Sequence, residues 1–435
     1  MRTRIHAAAA IALLSLSCTA SAATENAPRP FAGPNELVHL VTADGPAGVD
    51  VRRGRVAFRA TGAVARSDWS ALFSTAPEAG GTVLHTLDPA TGAEIGAVSL
   101  PGELSIRAVA GDGSKVALTA PPPPGVDPWT PVPRTRTTIV VADPSGAAEP
   151  ERFRLRGNLE PEAFSNDGAH LFVIQYLPPS APSLYRVAAL ELEDGDVYPV
   201  VSRIKTWSRR MPGTRLVQLP APDGRHLYTL YSSQPAAYEV DAAGTADEAD
   251  ATHGTYAASY DVGRASDDRP IAFVHVLNLE DQWAFCLPLP RRLWDAPAGQ
   301  QVMATSPDGS RLYVVDPSRD VVAMIGVRKT KVLETATVDL ATDDTAHAAA
   351  VVSPDGATLY VGTGEAIVAL DAGTLEIRSR WPTQVPVAAL ATSADGAVLY
   401  AAFPDRIDLL DRSTGTVQGS IPVAGTLAIP HVAAA

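Results

Sequence analysis

Cysteine is scarce in this chain of 435 residues: Cys18 and Cys286 are the only two. Cys18 falls within an N-terminal export signature, which leaves Cys286 without a partner and excludes an intramolecular disulfide. Long apolar runs are missing too. The run from Ile5 to Leu16 is too short to cross a bilayer core of ~30 Å as a stable helix, and no later stretch reaches the ~18 apolar residues a span requires. Positive charge is in deficit, with 35 Lys and Arg against 48 Asp and Glu, so the formal charge of −13 repels phosphate backbones and excludes nucleic acid as a partner. There is no Cys-x-x-Cys-His, His-Glu-x-x-His, Gly-x-Ser-x-Gly or Walker motif. Their absence removes haem electron transfer, zincin chemistry, a serine-hydrolase elbow and P-loop nucleotide binding from the sequence reading. No cofactor and no metal site is expected.

What the N-terminus does contain is Arg2 and Arg4, the apolar run and the small residues Ala20-Ser21-Ala22, the pattern of a signal peptide covering residues 1–22. The chain is therefore expected to be secreted or extracytoplasmic. The stretch "LLSLSC" offers an alternative, in which a lipidated Cys18 anchors the protein at the outer face of a membrane. Membrane attachment is expected by no other route. Residues 23–35 read as a flexible segment and 36–435 as one domain.

Glycine and proline are abundant, 33 and 37 residues, and punctuate the chain too often for long helices. An all-β fold follows. One phrase recurs along it: "SPDGATLYVGT" from Ser353, "SPDGSRLYVVD" from Ser306, "SADGAVLYAAF" from Ser393, "APDGRHLYTLY" from Ala221, "SNDGAHLFVIQ" from Ser165 and "AGDGSKVALTA" from Ala110. A degenerate copy at Arg66 carries Trp69 in place of the glycine. Asp-Gly supplies the positive φ of a tight hairpin, so the aspartates Asp68, Asp112, Asp167, Asp223, Asp308, Asp355 and Asp395 read as turn residues rather than catalytic acids. Each turn lies between a small-residue apolar run and an aromatic-rich one, and two further runs complete the unit. Four short strands in ~40 to 45 residues is the period of a propeller blade. Seven turns predict a seven-bladed β-propeller of four-stranded antiparallel blades.

These repeats, most clearly those between Gln301 and Val423, resemble the YVTN or lactonase-like group of seven-bladed β-propellers. The resemblance implies the fold; a fold of this kind hosts many unrelated functions. It also implies an alternative activity, lactone hydrolysis of the 6-phosphogluconolactonase type at the mouth of the central channel.

With strands lettered A to D from the axis outward, the Asp-Gly turn joins A to B. Three blades carry extra residues between B and C: Pro121 to Arg136 in blade 2, Leu177 to Ser183 in blade 3 and Ser232 to Pro270 in blade 4. B to C connections leave a blade opposite the Asp-Gly turns, so the insertions are expected to wall one face, and loops on a rigid scaffold concentrate binding residues. The loop of blade 2 is proline-rich with Trp129, and that of blade 4 carries eight acids between Glu239 and Arg269. These acids lack the alternating ligand spacing of a calcium loop and read as a solvated insertion. Candidate binding residues on the loop face are Trp129, Arg134, Arg136, Tyr176, Tyr238, His253 and Tyr256. His275, set among apolar residues, reads as a core or channel-lining group, and Cys286 as a buried apolar residue rather than a nucleophile. The expected function is an exported, monomeric propeller that binds a protein partner or small ligand through the loop face, with no catalytic residue evident. Closure of the ring is expected to come from the segments at Glu36 and Arg53, or alternatively from "TLAIPHV" at Thr426, added to the last blade.

Overall fold

A computed structural model describes residues 33–123, 131–182, 184–202, 211–212, 214–234, 271–294, 301–340, 348–364 and 366–434. The chain folds into eight β-sheets, one more than the seven predicted, each built on four antiparallel strands, with two sheets gaining a short fifth. Blades 1 to 7 are numbered by their turns, from Asp68 to Asp395. Strand A of one blade lies against strand A of the next around the axis, as in the neighbouring inner strands Ser105–Val109 and Asn158–Phe164 of blades 2 and 3.

The eighth blade is assembled from both ends of the chain. Its inner strand is Thr426–Ala434, and its outer strands are Glu36–Thr42, Gly45–Asp50 and Arg55–Arg59. Glu36 pairs with Ala434, Val38 with Val432 and His39 with His431. Both closing segments are thus used, but in a blade of their own rather than as an addition to blade 7. This explains the miscount: seven hairpins join strand A to strand B, and in the eighth blade that hairpin is replaced by the two chain ends. A count of Asp-Gly turns misses the blade whose turn does not exist. Closure in this way removes the open sheet edge that a propeller would otherwise present.

The turns are built as their residue types demand. In blade 6, Ser353 Oγ donates to Asp355 Oδ1 at 2.5 Å, Asp355 Oδ1 accepts the Ala357 N–H at 3.0 Å, and the Thr358 N–H donates to Ser353 Oγ at 2.9 Å. Gly356 has φ +69°, a left-handed conformation that costs other residues a clash at Cβ. The bond from Ser353 and the backbone donor hold the Asp355 carboxyl down at about 2, so it stays ionised and braces the turn. In the degenerate copy Trp69 occupies the glycine position at φ 59°, its ring buried in the closing seam against Phe58 and Leu72. Packing there sustains a backbone conformation the sequence disfavours.

Candidate ligand site at the loop-face channel mouth

Strand B of blade 2 ends at Thr119 and strand C begins at Arg136; the corresponding limits are Leu177 and Leu184 in blade 3, and Gln234 and Ile271 in blade 4. Strand alternation puts these strand ends at the end of the ring opposite the Asp-Gly turns. The inner strands of these blades share a further feature, a β-bulge. Register shifts fall between Ile106 and Ala108, between Pro161 and Ala163, and between Arg215 and Val217. Blades 5, 6 and 7 pair strand A with strand B without interruption. A bulge leaves one residue unpaired and re-aims its side chain. Arg107 and Glu162 are the extra residues in blades 2 and 3.

The bulged strands gather five charged side chains. Arg107 Nε donates to Glu160 Oε1 in a short contact, with both side chains more than nine-tenths buried. Arg134, from the blade 2 insertion, reaches the other oxygen of Glu160 at 3.3 Å. The loops are tied as well: the Arg134 N–H donates to Pro179 O at 3.0 Å, and Asn158 Nδ2 donates to Val132 O at 2.8 Å. Two residues along the same strand, Glu162 Oε1 accepts Arg215 Nη1 at 3.1 Å and Gln218 Nε2 at 2.9 Å. Its carboxylate is 2% exposed, and its second oxygen has no hydrogen-bond partner among the described residues. Burial outweighs the Arg215 charge and pushes the Glu162 carboxyl above the usual range. A buried polar atom left without a partner costs about 1–3 kcal/mol, so the site carries an unmet bonding requirement.

Behind the carboxylates runs an aromatic column. Tyr176 meets Tyr185 at 6.2 Å, Tyr185 stacks on Tyr231 at 5.4 Å, and Tyr231 stacks on Phe273 at 5.0 Å. Burial raises the Tyr176 hydroxyl to about 12, so it stays protonated and able to donate. His275 is buried edge-on to Tyr231, and burial lowers its pKa to about 4. Cys286, half-buried, sits opposite His275 in the sheet.

Of the residues singled out in the sequence, Arg134 and Tyr176 are brought to this cluster. Arg136 is exposed at the start of strand C, paired in register with Arg156, away from the carboxylates. Trp129, Tyr238, His253, Tyr256 and Cys18 lie outside the described residues. Sequence reasoning missed Arg107, Glu160, Glu162 and Arg215. A signal was present: "SIRAV", "NLEPEAF" and "TRLVQLP" place charges in inner strands, where blades 5, 6 and 7 have "VMAT", "AAVV" and "ALAT".

Solved structures share this architecture. Apo AztD from Citrobacter koseri superposes with a TM-score of 0.52 at 11% identity, covering 90% of this chain and 95% of that one. The dihydro-heme d1 dehydrogenase NirN, solved in complex with DHE, gives 0.50 at 15% identity over 92% of this chain and 75% of its own. The likeness is one of fold. A 6-phosphogluconolactonase candidate from Bacteroides fragilis reaches only 0.39 at 13% identity, covering 91% and 97%, and carries no argument about activity. No protein-family model and no curated protein matches the sequence. By structure alone the chain is a β-propeller similar in fold to AztD and NirN.

Proposed function

We propose that this propeller is an exported binding protein that takes a small polar ligand at the loop-face mouth of its channel, over blades 2, 3 and 4. The observation that carries this reading is the unpartnered, desolvated oxygen of Glu162 at the centre of a charged cluster. The inner strands of blades 1, 5, 6, 7 and 8 contain no Asp, Glu, Lys or Arg, so the inner-strand charges are confined to blades 2, 3 and 4. Preorganised polar groups flanked by aromatic rings are the usual composition of a ligand pocket. The test is a thermal-shift screen of small polar compounds against the full chain, followed by titration calorimetry of the hits. Glu162→Gln and Arg134→Ala are expected to weaken a genuine ligand at least about tenfold. Hits that bind both variants as tightly as the parent would overturn the reading.

The alternative, lactone hydrolysis, draws on the same carboxyl. Burial pushes the Glu162 carboxyl above the usual range despite the neighbouring Arg215, the direction that general-acid chemistry requires. A sugar-lactone hydrolysis assay without turnover above the Glu162→Gln background would dispose of it.

A further inference from the structure

On the opposite face, the turns of neighbouring blades are stitched together by polar contacts. Arg66 Nε donates to Gly111 O at 2.7 Å between blades 1 and 2, and Lys115 Nζ to Gly168 O at 2.7 Å between 2 and 3. Between blades 3 and 4 the Asn166 N–H donates to Leu279 O at 3.0 Å. Tyr313 OH donates to Ala372 O at 2.7 Å between 5 and 6, and Arg412 bonds Asp355 at 3.0 Å between 6 and 7. Blades 7 and 8 are joined through Glu36, which accepts the Ala394 N–H and Tyr400 OH, and blades 8 and 1 through His39 Nε2 and Pro89 O at 2.9 Å.

The seam between blades 4 and 5 is the exception. Among the described residues no hydrogen bond or ion pair joins the turns of these two blades, and there a cleft of about 440 Å³ opens. Tyr228 occupies the same place in its blade as Tyr313 and Tyr400, the two tyrosines that reach across their seams. Its hydroxyl is buried and has no hydrogen-bond partner among the described residues, and its ring lies parallel to that of His226 in the cleft wall.

We propose that this cleft is a second binding site, for a neutral di- or oligosaccharide. Its volume lies within the range of small-ligand pockets, roughly 300–1,000 Å³. The wall presents fixed donors and acceptors: Arg225 is held by Glu280 at 2.8 Å, and His226 lies between Asp223 at 3.3 Å and Asn278 at 3.1 Å. Paired groups of this kind offer sugar hydroxyls both kinds of partner with their orientation already set. Trp283, His226 and Val327 supply apolar surface for the C–H faces of a sugar ring. Four carboxylates against two guanidiniums disfavour an anion, and Asp308, pulled down to about 2 by the Ser306 hydroxyl, keeps its charge. Among the described residues no group of three His, Cys, Asp or Glu is placed to hold a metal ion. The site lies on the face away from the channel mouth, so it stands or falls independently of the function proposed above.

The test uses the full chain and titration calorimetry with maltose, cellobiose and N,N′-diacetylchitobiose, with putrescine and inorganic phosphate as charged probes. At least one disaccharide is expected to bind and to change tryptophan fluorescence. Arg328→Ala and Asp281→Asn, both at exposed positions, should weaken it at least about tenfold, the loss of one bond to a charged group, without moving the urea midpoint. Absence of disaccharide binding at millimolar concentration, binding of putrescine or phosphate instead, or affinity unchanged in both variants would overturn the proposal.

Discussion

His275 makes the most quantitative prediction. The ring is 2% exposed on strand C of blade 4, and burial lowers its pKa from the model-peptide value of 6.5 to about 4. In the unfolded chain the imidazole takes up a proton as pH falls through 6.5, whereas the folded protein refuses one until about 4. Its contribution to stability is therefore complete above 6.5 and is lost progressively as pH falls toward 4. At 1.36 kcal/mol per pH unit the full loss is about 3 kcal/mol, of which about 2 kcal/mol is already gone at about pH 5. His275→Phe keeps a ring against Tyr231 and removes the titration. Urea unfolding followed by tryptophan fluorescence, at neutral pH and at about pH 5, should give a pH-induced loss of stability smaller in the variant by about 2 kcal/mol. Equal losses in the two proteins would refute the reasoning.

Three further outcomes follow from the same structure. His39 and His431 face each other across the closing blade with ring centroids 5.4 Å apart, beside Trp69, Phe58 and the Arg66–Asp68 pair, and burial lowers both pKa values. Stability from this pair is likewise lost as pH falls below 6.5, so amide exchange in Glu36–Thr42 and Thr426–Ala434 should rise on acidification before that of blade 6. Glu160→Ala removes the buried carboxylate that Arg107 and Arg134 share and should cost ~3–5 kcal/mol by chemical denaturation. Gly356→Ala meets no neighbouring atom, so backbone strain alone should destabilise by ~1–2 kcal/mol in the same assay.

The blades were legible because their turns are local. Ser353, Asp355 and Gly356 satisfy one another within a few residues, so the sequence alone determines the hairpin. The eighth blade was not legible in that way, since its inner hairpin is replaced by a pairing of Glu36–Thr42 with Thr426–Ala434 that no local signal encodes. Of the residues singled out in the sequence, Arg134 bonds Glu160 and Tyr176 lies at the end of the aromatic column. Arg107, Glu160, Glu162 and Arg215 were hidden because their importance depends on bulges and on neighbours some 53 positions away, as for Arg107 with Glu160. The unstitched seam between blades 4 and 5 was hidden for the converse reason. Asp223 and Asp308 have the same turn chemistry as their counterparts, and only the missing contact between blades sets them apart.

The most direct test of the binding account is the electron density around Glu162 in crystals grown with the strongest stabiliser from the thermal-shift screen. The account predicts a polar ligand atom within hydrogen-bonding distance of Glu162 Oε2, between blades 2, 3 and 4. A ligand bound elsewhere on the ring, with Oε2 still unpartnered, would contradict it.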